Sequence, residues 1–473
     1  MAGYTKKIAY NTLIQFVGKA ITTTISIVTL ATIARYLGVS LYGEYATAFA
    51  FIGFFSILAD MGFYTIAVKE MAARPDEKDY IIGNILLMRI ALALAFVVIA
   101  PIVGWLIPVY SLAVKQGILI ICLSTFFVLI NQIFVSVFQY FLRMDKLVLA
   151  DSISRAVMLV VVLIAVYLKL PLPFFFLAHL LANIALCLLS YLFARKFVTV
   201  RLKYDSKYWK YIAKEASTLG LVLVLGFVYF KVDSLMLSLL ADSRAVGIYS
   251  ASYKVLEIMI TIPAMFMGSV FPLIVRYIKD KDERLQGSFQ KSFDFMSLLA
   301  LPMLLSLVVL AKPIMLLLAG GEFTDSILVL QYLSFAIFII FYGTIFGNFV
   351  VAANLQKKMI YVYLLGMVFN TITNAYLISR FSYYGAALTT VVTELLVASL
   401  TFIIIKRHFG FVPNLRIFFK ALTASVVMAA LLYVTRGAIH VLLLAPIGLF
   451  LYIGVLYVLK AINRDTLKTI FKS

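Results

Sequence analysis

Long apolar segments recur along the whole chain, separated by short polar connections. Each segment holds about 20 or more residues, which as an α-helix span a hydrocarbon core of roughly 30 Å. The longest connection, 196–213, is too short for an extramembrane catalytic domain. We predict fourteen membrane-spanning helices, spans 1 to 14, at 10–34, 42–68, 80–104, 116–142, 147–168, 172–195, 214–240, 246–275, 288–311, 325–350, 358–379, 383–405, 416–435 and 440–460.

Composition excludes a soluble domain. Hydrophobic residues make up 64% of the 473 residues, and the mean hydropathy is +1.06, far above the range of proteins that stay in solution. The first apolar segment continues to full spanning length without a small-residue cleavage site, so we expect no cleaved signal peptide. The chain is therefore predicted to be an all-α, multi-pass membrane protein.

The formal net charge of +20 indicates membrane orientation and not a nucleic-acid partner. If the N-terminus lies in the cytoplasm, 28 of the 41 Lys and Arg residues fall in inner loops and tails, and 7 fall in outer loops. This is the positive-inside distribution, and an even number of spans then places both termini in the cytoplasm. The basic inner segment Arg195–Lys214, with several aromatic residues, is expected along the anionic inner surface of the membrane.

One short pattern occurs twice, as "YGEYATAFAF" (Tyr42–Phe51) and "VGIYSASYKV" (Val246–Val255). In each copy a glycine precedes a tyrosine by two residues; we interpret the glycine as permitting tight entry into a helix and the tyrosine as lying at the membrane interface. Both copies begin a span that returns to the cytoplasm, so span 2 corresponds to span 8 and the halves are parallel repeats around a central cavity. The predicted parts are an N-terminal six-helix lobe, a C-terminal six-helix lobe and a peripheral segment with spans 13 and 14: 1–200, 201–410 and 411–473.

Polar residues of span 1 are spaced three or four apart, which puts them on one side of a helix across the whole membrane. They are Asn11, Gln15, Lys19, Thr22, Ser26 and Thr29. Because this stripe is continuous and carries an amine, we predict that it lines a water-filled cavity. The alternative, for this stripe and for similar ones in spans 2, 4, 8 and 12, is close helix packing with interhelical hydrogen bonds.

Charged residues inside the predicted spans each need a partner or water. Three pairs stand three or four residues apart and can neutralise each other on their own helix: Asp151 with Arg155, Lys254 with Glu257, and Lys291 with Asp294. The others have no such neighbour and need a tertiary partner or a ligand: Lys19, Asp60, Arg89, Lys231, Asp233 and Glu394.

No catalytic or metal-binding motif occurs in the sequence. The three histidines are scattered, and Cys122 and Cys187 both lie within spans, where we interpret them as small packing residues. We therefore predict no metal, no organic cofactor and no enzymatic activity.

The stretch "ARYLGVSLYGEYATAFAFIGFFSILADMGF" (Ala34–Phe63) resembles the N-terminal signature of the polysaccharide transporter family. These are the O-antigen type flippases of the multidrug, oligosaccharidyl-lipid and polysaccharide (MOP) exporter superfamily. The residues that carry the resemblance are Ala34, Arg35, Leu37, Gly38, Tyr42, Gly43, Tyr45, Asp60 and Gly62, with Asp233, Gly247, Tyr249, Ser250, Ala251, Tyr253 and Pro272 in the second half.

The resemblance implies a flippase that moves a lipid-linked oligosaccharide, usually on a polyprenyl diphosphate, to the outer leaflet by alternating access for cell-surface polysaccharide biosynthesis. A diphosphate inside a membrane needs cations and hydroxyl groups around it. The candidate cavity cations are Lys19, Arg89, Lys231 and Lys254. The candidate polar and aromatic contacts are Asn11, Gln15, Thr22, Ser26, Tyr64, Tyr229, Asn370 and Asn374. The candidate acids, structural or binding a coupling H+ or Na+, are Asp60, Asp233, Glu257 and Glu394.

Two other functions stay open. A MATE-like drug or cation exporter of the same superfamily would need acids to dominate the cavity, whereas the intramembrane charges balance at six of each sign. A polysaccharide polymerase or glycosyltransferase would carry a substantial outer loop, and the outer loops here are short. We expect a plasma-membrane monomer whose partners are membrane lipid, a polyprenyl-linked glycan, and a glycan polymerase or glycosyltransferases, with no nucleic acid.

Overall fold

The computed structural model describes residues 2–461, apart from the side chains of residues 2–13, 16, 218, 219, 221–223 and 225–228. In this part of the chain the fold is all-α, without a β-strand. The helices are α1 (Ala2–Asp60), α2 (Phe63–Ala73), α3 (Lys78–Leu106), α4 (Leu112–Tyr140), α5 (Met144–Tyr167), α6 (Pro173–Ala194), α7 (Ser206–Leu240), α8 (Ser243–Met259), α9 (Thr261–Lys279), α10 (Arg284–Leu318), α11 (Ser326–Ala352), α12 (Gln356–Phe409), α13 (Arg416–Thr435) and α14 (Val441–Val458). Two short 3-10 helices, Pro75–Glu77 and Gly321–Phe323, lie before α3 and α11.

Two helices are far longer than one membrane crossing, and each contains a break. In α1 the break is at Gly38, with φ 68 and ψ 176, and in α12 it is at Ser382, with φ 49 and ψ −130. These positions fall between predicted spans 1 and 2 and between spans 11 and 12. One span therefore ends and the next begins at a single residue, where the sequence predicts a short loop.

Eleven segments of the described chain are long and apolar enough to cross a membrane. Two of them, Val17–Ala73 and Gln356–Phe409, contain the breaks in α1 and α12 and have 57 and 54 residues, enough for two crossings each. The predicted all-α, multi-pass membrane architecture is confirmed at this level. The count of fourteen spans and the cytoplasmic position of the termini stay predictions.

The chain divides into two compact units, Met1–Gly247 and Ile248–Ser473. In the first unit α1 packs on α4, α5 and α7, and α4 packs on α3 and α6. In the second unit α11 packs on α9, α10 and α12. The first unit extends beyond the predicted lobe boundary at residue 200 because α7 packs on α1. The lobes, which describe the sequence repeat, stay a prediction.

The last two helices, α13 and α14, pack on α10. The three helices share a buried apolar cluster that includes Leu301, Leu432 and Leu444. Their other sides expose large apolar side chains such as Phe450. Because an exposed apolar side of this extent needs a nonpolar environment, these helices suit contact with lipid.

The two glycines of the repeated pattern, Gly43 and Gly247, face each other within the first unit. A Cβ atom on Gly43 would lie 1.6 Å from the carbonyl oxygen of Ser243, and one on Gly247 would lie 2.2 Å from the carbonyl oxygen of Val39. The second part of α1 and the first turn of α8 therefore touch backbone to backbone. The close contact of the two backbones excludes a side chain at both positions, and the expectation that these glycines permit tight entry into a helix stays a prediction.

Candidate functional site

A break between α1 and α2 creates the first candidate cluster. Met61 has φ 46 and Gly62 has φ 73, so the helix ends at Asp60. A helix end leaves its last carbonyl groups without partners on the same helix. Arg89 of α3 donates from Nη1 to two of these groups, the carbonyl oxygens of Ala59 at 2.8 Å and Asp60 at 2.6 Å. The guanidinium thereby supplies hydrogen bonds to carbonyl groups at the end of α1.

The other N–H groups of Arg89 are bonded as well. Nη2 donates to Asp60 Oδ1 at 2.5 Å and to Gln132 Oε1, and Nε donates to the carbonyl oxygen of Leu129 at 2.9 Å. The Arg89 side chain is fully buried. Asp60 and Arg89, each predicted to need a tertiary partner, are therefore partners of each other. A buried pair of this kind acts as a structural clamp, because removing one member costs about 3–5 kcal/mol.

In this structure Arg89 is consequently hydrogen-bonded to oxygen atoms of the protein. A phosphate could reach its five N–H groups only by displacing protein oxygens such as those of Asp60 and Gln132. Arg89 and Asp60 therefore hold each other at the helix break in this structure. Substrate binding by Arg89 and ion coupling by Asp60 stay predictions.

The polar face of span 1 divides into an exposed and a more buried part. Gln15 and Lys19 are exposed, Thr22 and Thr29 are buried, and Ser26 is half-buried. The hydroxyl groups of Thr22, Ser26 and Thr29 donate to carbonyl oxygens four residues earlier on the same helix, at 2.9, 2.7 and 2.8 Å. These three hydroxyls are thus satisfied without a ligand. This part of the stripe is therefore packed within the protein. Among the described residues of the stripe, only Gln15 and Lys19 are exposed.

Lys19 lies on the side of α1 opposite its exposed apolar side. Val17, Ile21 and Val28 are exposed together and form a surface suited to lipid. Lys19 makes no ion pair with any side chain that the structure describes. An exposed amine on the side turned away from the apolar surface needs water, so this part of α1 borders water-accessible space. Asn11, the preceding member of the stripe, lies outside the described side chains.

A second open polar side belongs to α8. Between Ala245 and Leu256 every residue is buried except Ser250, which is half-buried, and Lys254, which is 48% exposed over its side chain. Lys254 Nζ lies 2.7 Å from Glu257 Oε2, so the predicted pair on one helix forms and still leaves the amine open. Between Ala245 and Leu256 the exposed side of α8 therefore carries no apolar side chain.

Three further candidates lie together in α7. Tyr229 and Asp233 are buried, and Lys231 is half-buried with its Nζ 5.7 Å from the centre of the Phe230 ring. Lys231 and Asp233 both make other contacts with the protein. Tyr64 of α2, expected to contact sugar, is half-buried. The roles of these four residues in substrate or ion binding stay predictions.

Asn370 and Asn374 are buried between helices. Asn374 Nδ2 donates to Asn370 Oδ1 at 2.7 Å, and Asn370 Nδ2 donates to Thr393 Oγ1 at 3.4 Å. The second bond joins the two parts of α12 across the break at Ser382. Neither amide is accessible to a sugar hydroxyl in this structure. Their contacts are those of interhelical packing and not the expected contacts of a cavity. Glu394, next to Thr393, is half-buried.

A buried carboxylate that sequence reasoning missed is Glu70 of α2. It is 4% exposed and accepts hydrogen bonds from the hydroxyl groups of Tyr208 at 3.2 Å and Tyr211 at 3.0 Å, and from Arg74. Burial, together with the charge of Glu70, raises the pKa of Tyr208, so its hydroxyl stays protonated as a donor. The spacing of Glu70 and Arg74 on one helix indicates their pairing, but nothing in the sequence indicates the two tyrosines.

Among the described residues, no group of three or more His, Cys, Asp or Glu side chains is arranged to hold a metal ion. Cys122 and Cys187 are buried free thiols. The candidate groups that stay exposed are Gln15 and Lys19 of α1, in the first unit, and Lys254 of α8, in the second unit.

Comparison with protein families gives two matches. The family described as "Polysaccharide biosynthesis protein" matches residues 8–278, more than half of the chain, and MatE matches residues 218–376. The first match contains the whole stretch Ala34–Phe63 and confirms the predicted resemblance. No curated protein matches the chain.

Several solved structures share the fold. The lipid II flippase MurJ in an inward closed conformation has a TM-score of 0.77 at 15% sequence identity, covering 95% of this chain and 98% of that chain. An inward-facing multidrug resistance MATE family transporter of the MOP superfamily has a TM-score of 0.70 at 14% identity, over 84% of this chain and 98% of that one. A MOP superfamily transporter from Pyrococcus furiosus has a TM-score of 0.61 at 14% identity, over 86% and 96%.

Proposed function

This chain belongs to the polysaccharide biosynthesis protein family, and we propose that it is a plasma-membrane flippase for a lipid-linked oligosaccharide. The sugar and diphosphate of a polyprenyl-linked glycan cross within the protein, while the polyprenyl tail stays in lipid. The observation that carries the proposal is the placement of two exposed amines, Lys19 of α1 and Lys254 of α8. Both lie on polar helix sides that do not face lipid.

The chemistry of the two amines fits a diphosphate. A lysine ammonium group donates up to three hydrogen bonds and carries a full charge, and a diphosphate without such partners would be prohibitively unstable in a membrane. Lys19, which has no ion pair with a described side chain, can bind an anion directly. Lys254 is held by Glu257 at 2.7 Å and keeps donors for a phosphate oxygen.

The pair on α8 also suggests a route for ion coupling. Glu257 is half-buried and bonded to Lys254. Protonation of Glu257 removes its negative charge and leaves Lys254 as an unneutralised cation, which strengthens anion binding. Proton uptake and diphosphate binding are therefore coupled in this proposal, and each favours the other. Glu394 is a second candidate for a coupling H+ or Na+.

The substrate class is supported by one relative of the same fold, which is a flippase of lipid II by its name. The match of MatE to residues 218–376 supports a second candidate function, a MATE-like exporter of drugs or cations. A cation binder needs an excess of carboxylates, whereas each of the two open polar sides carries a lysine. We propose a monomer that works beside a glycan polymerase or glycosyltransferases.

Flipping can be measured with the purified full-length protein in vesicles that contain a fluorescent polyprenyl-diphosphate-linked N-acetylglucosamine. A reductant that cannot cross the membrane bleaches only the probe in the outer leaflet, so a second decay phase gives the flipping rate. We expect Lys19→Ala and Lys254→Ala to slow this phase roughly tenfold or more, because a hydrogen bond to a charged group contributes about 1.5–3 kcal/mol. Lys312→Ala, an exposed lysine outside both polar sides, is the matched control.

The outcomes separate the candidate functions. If both variants flip the probe at the wild-type rate, Lys19 and Lys254 do not bind the diphosphate. A wild-type protein that leaves the glycolipid probe in place and moves ethidium across the same vesicles would establish the exporter instead.

A further inference from the structure

The basic segment 195–214, which we call the strap, lies across the start of α3. Its backbone amides donate to the side chain of Asp79 at 2.9 Å, to the carbonyl oxygen of Gly83 at 3.3 Å and to the side chain of Asn84 at 2.9 Å. A Cβ atom on Gly83 would lie 2.2 Å from the carbonyl oxygen of Arg201. The strap is therefore fixed on α3 by its backbone, which leaves its side chains available for other contacts.

The end of the strap is the amphipathic first part of α7. Tyr208 and Ile212 are buried, and the Tyr208 hydroxyl donates to Glu70. Lys207 and Lys210, on the other side of this helix, are exposed. The strap thus turns an apolar and phenolic side toward the protein and a basic side away from it.

All the cations of the strap are exposed: Arg195, Lys196, Arg201, Lys203, Lys207, Lys210 and Lys214. Apart from Lys214, they make no ion pair with any residue that the structure describes. Cations beside the strap differ, because Lys69, Arg74, Arg143 and Lys146 each lie within 3.3 Å of a carboxylate oxygen. Six cations that the described protein does not neutralise therefore lie close together along the strap.

Exposed apolar and aromatic side chains alternate with these cations. Leu202 and Tyr204 are largely exposed, and Tyr211 is 44% exposed while its hydroxyl donates to Glu70. Cations interleaved with amphipathic rings are typical of segments at the boundary between lipid headgroups and hydrocarbon. The strap follows directly on α6 and crosses the start of α3, two helices apolar enough to span the membrane, so it lies where a membrane surface would be.

We propose that the strap is a binding surface for anionic phospholipid headgroups, with phosphatidylglycerol as the representative lipid. Phosphate oxygens accept hydrogen bonds from the unpaired lysines and arginines, while Leu202, Tyr204 and Tyr211 enter the interface. Each basic residue near an anionic surface contributes a roughly fivefold preference for it. The inference concerns the lipid around the protein and does not depend on what the protein transports.

The two tryptophans of the chain are built-in probes for this proposal. Trp209 lies in the strap and is half-buried, and Trp105 lies at the opposite end of α3 and is exposed. Full-length Trp105→Phe protein in nanodiscs therefore emits from the strap, and Trp209→Phe protein emits from the other end. Phosphatidylglycerol or phosphatidylcholine, brominated near the headgroup end of its acyl chains, quenches whichever tryptophan it contacts.

We expect brominated phosphatidylglycerol to quench Trp209 several-fold more than brominated phosphatidylcholine at the same mole fraction, with the preference falling as salt is added. Lys203→Gln, Lys207→Gln and Lys210→Gln together should bring the quenching by the two lipids close to equal. Lys279→Gln, Lys357→Gln and Lys358→Gln together remove the same charge from exposed positions elsewhere and should leave it unchanged. Trp105 should show no lipid preference in any of these proteins.

Equal quenching of Trp209 by the two lipids would overturn the proposal. A preference that survives the three strap substitutions would overturn it as well. If the lipid preference is absent and an acidic protein is retained only by the unmodified strap, the strap is a protein-binding surface and not a lipid-binding one.

Discussion

The hydroxyl of Tyr45 lies 2.5 Å from Nε2 of His179, and this contact joins the second part of α1 to α6. The second copy of the repeated pattern makes the corresponding contact, since the hydroxyl of Tyr249 lies 3.1 Å from Thr390 Oγ1 in the second part of α12. In the predicted spans, both contacts join the second helix of a half to its sixth. Both tyrosines are buried within the protein, and their position at the membrane interface stays a prediction. The two copies of the repeated pattern therefore make the same kind of contact between helices.

Removing either tyrosine hydroxyl should have the same effect in the two units. Interhelical hydrogen bonds in membrane proteins contribute about 0.6 kcal/mol on average, so we expect Tyr45→Phe and Tyr249→Phe each to lower stability by about that amount. Thermal unfolding of the purified protein in detergent measures this change. Tyr167→Phe, at an exposed tyrosine, is the control and should change nothing. A loss in only one of the two variants would show that the contacts are not equivalent.

The clamp between Arg89 and Asp60 predicts that removing one partner is more harmful to stability than removing both. Arg89→Met leaves a carboxylate and three backbone carbonyl groups without the donor that Arg89 supplies and should lower the free energy of unfolding by about 3–5 kcal/mol. Adding Asp60→Leu removes the uncompensated charge, so the double variant should be more stable than Arg89→Met alone. The measurement is again thermal unfolding, combined as a double-mutant cycle.

Arg155 supplies the control for the clamp. It pairs with Asp151 at 3.3 Å but is 42% exposed, so Arg155→Met should cost about 1 kcal/mol or less. If Arg89→Met proves no more harmful than Arg155→Met, Arg89 is not a structural clamp, and its role as a substrate-binding cation has to be reconsidered.

The contact between Gly43 and Gly247 predicts that even one methyl group is too large there. Gly43→Ala should lower stability by about 1–3 kcal/mol or more, because the new Cβ would overlap the carbonyl oxygen of Ser243. Gly347→Ala in α11, where a Cβ meets nothing within 4 Å, should be neutral or stabilising by up to about 1 kcal/mol. Expression level and thermal unfolding of the two variants give the comparison. Equal behaviour of both would contradict the close backbone contact.

Acidification should loosen the strap through Asp205. The Tyr80 hydroxyl and the amides of Tyr208 and Lys207 donate to its carboxylate, at 2.7, 3.1 and 2.8 Å, which holds the pKa of Asp205 below its ordinary value. A lowered pKa in the folded state means that the carboxylate stabilises the strap fully above the unfolded value of about 3.9. That contribution is lost as the pH falls through the lower, folded-state value.

The emission of Trp209 in Trp105→Phe protein gives the readout for Asp205. We expect a red shift as the pH falls below about 4, and no such transition when Asp205→Asn is added, because the amide does not titrate. The same transition in both proteins would assign it to another group.

Much of the fold could be predicted because hydrocarbon imposes a strict length and polarity on each helix. Hydropathy placed the breaks in α1 and α12 within a few residues of Gly38 and Ser382, since both fall where apolar segments end. The contact between Lys254 and Glu257 was equally accessible to sequence reasoning, because residues three apart on a helix are neighbours whatever surrounds them. The family resemblance likewise rested on a local pattern.

The partners of isolated polar residues were not accessible in this way. The sequence by itself determined that Asp60 and Arg89 each needed a partner, because a lone charge in a membrane is unstable. Only the tertiary structure decided that they pair with each other. It also decided that Asn370 and Asn374 are buried between helices. The same holds for Glu70, which accepts hydrogen bonds from two tyrosine hydroxyls of the strap. Local periodicity fixes the side of a helix on which a residue lies, whereas its neighbour depends on how distant helices pack, and the spacing of residues along the chain does not contain that information.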